Sequence, residues 1–205
     1  MMNKDISIEK IAIKNFKSLY NVSFEPGKVN VFIGANGSGN SSVLEAIGIL
    51  SAAMSDRVNN NALQRKGIRL STSALYKSKF SSIKMEGATV DFDIEWENQG
   101  SKYSYLTYLA VPKEDDSWKY FAEKVMKNSE SVFGRSNRSS TPTNNKVGYY
   151  ALAEQLASEE YREFLKYVEN YGIYQPDTLT LRGTVPDPAQ ITPIGLNGGR
   201  LAEAM

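Results

Sequence analysis

The residues best suited to chemistry are Gly34-Ala35-Asn36-Gly37-Ser38-Gly39-Asn40-Ser41-Ser42. They fit the phosphate-binding pattern G-x-x-x-x-G-K-[ST] at every position except the lysine. Glycines at 34, 37 and 39 let the backbone wrap tightly and point N–H groups at phosphate oxygens. A helix that starts immediately afterwards adds the positive end of its dipole. Backbone N–H groups from Asn36 to Ser41 would hold the phosphates. Ser41 stands where a hydroxyl ligates Mg²⁺, and Ser42 can add a phosphate contact. The competing reading is a Gly/Ser-rich turn between a strand and a helix, with no ligand.

Asn40 is the departure. A lysine there places positive charge between the β- and γ-phosphates and stabilises charge in the transition state. Asparagine is shorter and neutral; it can donate a hydrogen bond but supplies no charge. The expectation is weakened nucleotide binding and hydrolysis slowed by orders of magnitude, with the backbone cradle intact. An introduced substitution and a naturally degenerate copy of the motif account for Asn40 equally well.

These residues need a strand before them and a helix after them, and both are legible. Val29-Asn30-Val31-Phe32-Ile33 is a nearly continuous apolar run, which predicts a buried strand of a parallel or mixed sheet. Ser41 to Met54 predicts a helix with Val43, Ile47 and Leu50 on one face. Upstream, Ile6, Ile8, Ile11 and Ile13 read as a strand running into Asn15-Phe16-Lys17-Ser18, followed by a strand around Val22 and Phe24 that closes at Pro26-Gly27.

Downstream, residues 55–88 are polar and read as irregular. Val90, Phe92, Ile94 and Trp96 alternate with Asp91, Asp93, Glu95 and Glu97. With the turn Asn98-Gln99-Gly100-Ser101 and the return run through Tyr103, Tyr105 and Leu109, they predict an antiparallel hairpin subdomain over 88–111. A short helix is expected from Ser117 to Lys127, and a polar loop or insertion over 128–147. A further helix is expected from Glu159 to Tyr171, capped by Gly172, with Tyr161, Phe164, Leu165 and Val168 as its apolar stripe. The Pro/Gly-rich tail, 175–205, leads into a cut-off helix at Leu201–Met205. The fold class is therefore α/β: a P-loop domain with a mixed sheet, flanking helices and an antiparallel β subdomain.

Composition narrows the chemistry. The chain has no Cys and no His, which excludes thiol nucleophiles, Cys/His zinc sites and histidine bases. Lys plus Arg number 24 against 23 Asp plus Glu, so the net charge of +1 gives no global case for nucleic-acid binding. No apolar run is long enough for a membrane span and the N-terminus lacks a signal-peptide core, so a cytoplasmic location is expected. Arg57, Arg65, Lys66, Arg69, Lys77, Lys79 and Lys84 cluster around Tyr76 and Phe80. They allow a DNA- or RNA-facing surface, but a solvated lobe surface is the plainer reading. Arg135 and Arg138 are equally ambiguous. Tyr103, Tyr105 and Tyr108 read as sheet packing.

Two segments taken together, Ile11-Ala12-Ile13-Lys14-Asn15-Phe16-Lys17-Ser18-Leu19 and Gly34 to Ile47 with its sequel Ser41-Ser42-Val43-Leu44-Glu45-Ala46-Ile47, resemble the opening of RecF, SMC, RecN and OLD-type ATPases. The resemblance covers roughly the first 50 residues. It implies an ABC-type AAA-family P-loop ATPase domain with ATP and Mg²⁺ as cofactors, and it makes Asn15, Lys17 and Ser18 candidate nucleotide contacts. The plain alternative is that Phe16 and Leu19 are core and Lys17 is solvated.

A complete site of that family also needs an apolar strand ending in Asp-Glu, a signature loop and, in many members, a histidine. Asp115-Asp116 follows Pro112-Lys113 rather than such a strand, and reads as loop. Leu196-Asn197-Gly198-Gly199-Arg200 is similar to the L-S-G-G-Q signature but lacks the strand that should follow. The expectation is a single, incomplete ATPase domain over 1–205 that needs its C-terminal half or a second ATPase subunit, in a homo-oligomer. Its full-length relative would couple ATP to DNA repair or anti-phage defence. The alternatives are a catalytically silent scaffold holding an effector such as a nuclease, or an unrelated α/β domain with a chance lookalike loop.

Overall fold

A computed structural model describes residues 6–80, 89–112, 117–136, 145–149, 158–187 and 195–200. Six strands form one sheet: β1 (Ile6–Phe16), β2 (Leu19–Phe24), β3 (Thr89–Asn98), β4 (Ser101–Ala110), β5 (Lys119–Lys127) and β6 (Glu130–Ser136). Their order is β2-β1-β3-β4-β5-β6, and every pairing is antiparallel. The helices are α1 (Asn40–Ser55), α2 (Asn60–Arg65), α3 (Ser73–Tyr76), α4 (Glu159–Glu169) and α5 (Thr178–Leu181). None of the described helices is long and apolar enough to cross a membrane.

The alternation in β3 sets the core. Val90, Phe92, Ile94 and Trp96 are buried, while Asp91, Asp93, Glu95 and Glu97 lie on the half-covered opposite face. Register carries the same face across the sheet: Ile13 pairs with Phe92, Ile11 with Ile94, and Ile94 and Trp96 with Tyr105 and Tyr103. The β3–β4 turn has Gln99 and Gly100 at φ 51° and 77°, the left-handed pair that tight hairpins need. Helices α1 and α4 cover this face. Trp96 stacks on Phe164 of α4 at 4.0 Å, and Ser51 Oγ of α1 donates to the Val168 carbonyl at 2.6 Å. The second half of α1 is buried nearly all round, through Ile49, Leu50, Ala53 and Met54. The apolar face anticipated for α1 is thus wider than a single stripe, since Val43 and Leu50 are buried and Ile47 is only half-buried.

Several expectations are corrected. Residues 117–127 are not a helix: Lys119–Lys127 is β5, paired with β4. Its register slips at Tyr108/Leu109, so the inward residues fall at 118, 120, 123 and 125. A bulge that shifts a period of two by one residue imitates helical spacing. The polar segment 128–147 is not all loop. It starts with a tight turn at Asn128-Ser129 (φ 48° and 70°) and enters the edge strand β6. As an edge strand, β6 is largely exposed and shows no apolar alternation.

The hairpin expected over 88–111 forms as β3 and β4, lies in the middle of the sheet and shares one core with α1 and α4. The segment expected to be irregular contains α2 and α3. Gly172 does not cap α4, which ends at Glu169 with Asn170 as its C-cap; the Asn170 side chain donates to the Lys166 carbonyl at 2.8 Å. Val29–Ile33 joins no ladder, and Val29, Val31 and Ile33 are 84%, 76% and 89% exposed. The parallel partner that a mixed sheet would require is therefore not among the described residues. Asp115-Asp116, Lys84, Arg138 and Leu201–Met205 lie outside the described residues.

Candidate functional site

The loop after Ile33 turns at Ala35–Ser38, where Ser38 N–H donates to the Ala35 carbonyl at 3.0 Å, and enters α1 at Asn40. Gly37 and Gly39 have φ of 85° and 110°. The strain that any side chain would meet at Gly39 is compounded by crowding. A Cβ there would stand 2.9 Å from Ser18 Oγ and 3.1 Å from Leu19 Cδ2. The β1–β2 turn is thus packed directly against the Gly-rich loop. Ser18 Oγ lies 3.2 Å from Ser42 Oγ, in the first turn of α1. Ser41 is exposed in the same turn.

The turn itself is strained, with Asn15 and Lys17 at φ 60° and 48°. The chain after α3 fastens it. Lys17 N–H donates to the Tyr76 carbonyl and Ser78 N–H to the Asn15 carbonyl, both at 3.0 Å, and Ser78 Oγ donates to the Leu19 carbonyl at 2.9 Å. This brings residues 69–79 alongside the Gly-rich loop as the second wall of a cleft of about 720 Å³. The loop from Gly34 to Ser42, Lys17 and Ser18 form one side; Arg69, Ser71, Lys77 and Lys79 are among the residues of the other.

Of the ten residues singled out in the sequence, nine line this cleft: Lys17, Ser18, Asn36, Gly37, Ser38, Gly39, Asn40, Ser41 and Ser42. Asn15 does not. It is buried, and its amide sits 3.5 Å from the Thr89 carbonyl. Asn40 Nδ2 donates across the loop to the Gly34 carbonyl at 3.4 Å, a long bond. Lys17 is ion-paired with Glu45, and its ammonium stands 5.4 Å and 5.6 Å from the Tyr76 and Phe16 rings.

Sequence reading missed Glu45 and the role of the basic cluster. Glu45 is five residues past Asn40 on α1, and its side chain is only 4% exposed. Burial of a carboxylate demands partners, and here it has two: Lys17, and Arg69 through Nε at 3.3 Å. An acid among the small and apolar residues of α1 is the signal that could have been read. The basic cluster is divided by the fold. Arg69, Lys77 and Lys79 face the cleft, whereas Arg57, Arg65 and Lys66 border a hollow of about 490 Å³ at the far end of α1. There Lys66 Nζ donates to the Glu169 carbonyl at 3.0 Å, and burial lowers its pKa to about 8. Arg135 is no nucleic-acid contact: its guanidinium is buried against Glu123 at 2.7 Å. Tyr103 and Tyr105 are core, as expected.

Among the described residues, no group of three or more acidic side chains could hold a metal. A cation here would rely on the Ser41 hydroxyl and on oxygens that a ligand brings.

The AAA ATPase domain profile matches residues 7–182. The chain belongs to the AAA ATPase domain family. Within it the ATPase domain is RecF/SMC-like. It is 32% identical over 139 residues to the DNA double-strand break repair Rad50 ATPase of Pyrococcus abyssi, covering 63% of this chain and 14% of that protein. It is 42% identical over 53 residues to the DNA replication and repair protein RecF of Pseudomonas fluorescens, covering 25% of this chain and 14% of that protein. The match spans about one seventh of each curated relative.

Proposed function

We propose that this chain is the nucleotide-cradling part of a RecF/SMC-like ATPase, that it binds ATP with Mg²⁺ in the cleft between the Gly-rich loop and residues 69–79, and that Asn40 attenuates hydrolysis. The observation that carries the reading is that the Gly-rich loop, with the Ser18 turn packed directly on Gly39, lines one wall of a single cleft whose other wall is basic. Backbone N–H groups from Asn36 to Ser41 bind the phosphates, that of Ser38 by exchanging the Ala35 carbonyl for the ligand, and the α1 dipole favours their charge. Ser41 supplies a hydroxyl to Mg²⁺, and Ser18 and Ser42 add donors beside it. Mg²⁺, when bound, neutralises developing charge on the β- and γ-phosphates. With asparagine at position 40, the loop itself contributes no cation.

Complete activity requires the C-terminal half or a second ATPase subunit. The exposed run Val29, Val31 and Ile33 supports this, because it is a β-prone segment that joins no ladder among the described residues. The similarity to Rad50 and RecF supports a role in DNA repair within the cytoplasm; a role in anti-phage defence is a narrower version of the same idea. Asn40 also favours a second reading, a silent scaffold that keeps the fold to hold an effector such as a nuclease.

Calorimetric titration of Mg²⁺-ATP into the parent chain and its Asn40→Lys variant tests the first reading. Clear binding by the variant and weaker binding by the parent is the expected result. Absence of binding in both would remove the ATPase reading for this chain.

A further inference from the structure

We propose that Arg69 supplies to a bound polyphosphate the positive charge that residue 40 lacks. This rests on the nucleotide reading of the cleft. Three observations converge. First, the loop contains no cation, and the neutral Asn40 amide is turned toward the Gly34 carbonyl. Second, the buried Glu45 carboxylate is shared by two cations, so one positive charge remains unbalanced at the cleft. Third, the two cations are disposed differently: Lys17 is 17% exposed and held against aromatic faces, whereas the Arg69 side chain is 69% exposed at the cleft wall.

Arg69 is anchored, not merely nearby. Glu45 grips Nε and belongs to the helix that the Gly-rich loop starts, so the guanidinium is fixed relative to that loop. Among the described residues only Nε is engaged. The planar fork leaves its terminal amino groups to face an anion, and a guanidinium held at one edge loses little entropy on binding a phosphate at the other. Of the other wall cations, Lys77 also answers the charge of Asp91, and Lys79 has no anchoring carboxylate among the described residues.

The test is a thermodynamic cycle on the full chain, read by calorimetry with two probes, Mg²⁺-ATP and inorganic tripolyphosphate. The four proteins are the parent, Arg69→Ala, Asn40→Lys and the double variant. Thermal melts confirm folding, and Arg69→Gln replaces Arg69→Ala if the alanine variant melts early. Removing Arg69 should weaken the parent about tenfold for both probes, the scale of one charge-assisted contact. In the Asn40→Lys background the loss should shrink to about twofold, because the lysine has taken over the role. If Asn40→Lys strengthens binding while Arg69→Ala changes nothing, the nucleotide reading stands and this proposal falls. Equal losses in both backgrounds also overturn it, since Arg69 would then act independently of position 40. If neither the parent nor Asn40→Lys binds either probe, the nucleotide reading fails and takes the proposal with it.

Discussion

The Tyr120 hydroxyl, on β5, donates a 2.8 Å hydrogen bond to the Ala53 carbonyl in the last turns of α1. It reaches the Asp56 carbonyl at 3.3 Å, while the nearby Tyr105 hydroxyl, 3.3 Å from the Ala53 carbonyl, donates its proton to Glu123 at 2.5 Å. The buried Tyr120 phenol therefore satisfies a carbonyl at the end of the helix that follows the Gly-rich loop. Helix ends leave such carbonyls without intrahelical partners. Burial pushes both phenol pKa values well up, so the hydroxyls stay protonated donors throughout the working range of the protein.

Tyr120→Phe keeps the ring and removes the donor. It should destabilise the chain by about 1–3 kcal/mol, the cost of leaving a buried acceptor unpaired. Urea denaturation would measure this. An unchanged midpoint would mean that the Tyr105 hydroxyl turns to the helix end in its place.

Arg135→Ala leaves Glu123 buried without its cation. Two guanidinium nitrogens converge on Glu123 Oε2, at 2.7 Å and 2.9 Å, and the Glu123 side chain is fully buried. Breaking such a pair costs roughly 3–5 kcal/mol at neutral pH. The sign with pH follows from the carboxyl. Burial raises its folded-state pKa, opposed by Arg135 and by donation from Tyr105 and the Tyr149 N–H. Without Arg135 the raised pKa climbs further, and the folded state binds the proton more tightly than the unfolded one. Stability should then recover as pH falls through the folded-state pKa toward the unfolded value. Denaturation midpoints of the variant at pH 5 and pH 7.5 check this, and a variant equally damaged at both would contradict it.

Gly37 and Gly39 separate two kinds of glycine requirement. Both have positive φ, but a Cβ at Gly37 meets nothing within 4 Å, whereas at Gly39 it collides with Ser18 and Leu19. Gly37→Ala should cost only about 1 kcal/mol of backbone strain. Gly39→Ala should cost about 2–3 kcal/mol and displace the Ser18 turn. Thermal melts of both variants, alongside tripolyphosphate titration, would reveal whether the second also loses ligand.

Val31→Lys with Ile33→Lys should leave this chain's stability within about 0.5 kcal/mol, because both side chains are exposed. The same double change should abolish association with a companion half. Sedimentation of the paired chains is the measurement, and undisturbed assembly would show that this edge is not where they join.

The local signals were strong wherever a period or a motif was unbroken. The alternation in β3 dictated its face and its hairpin, because a half-buried strand leaves side chains no other arrangement. The glycine positions likewise dictated where the backbone must turn left-handed and where α1 could begin. The sequence could not reveal β5, because one bulge disguised its period, or β6, because an edge strand carries polar residues on both faces.

Which charges meet was decided only in three dimensions. Nothing in the spacing of Lys17, Glu45 and Arg69 announces that they form one cluster. Their meeting depends on the Ser78 and Tyr76 backbone bonds that draw residues 69–79 against the β1–β2 turn. Sequence thus determined where the Gly-rich loop lies and that it carries no cation of its own. Tertiary structure decided where cations stand around it, because long-range pairing is set by the packing of whole elements and leaves no local trace.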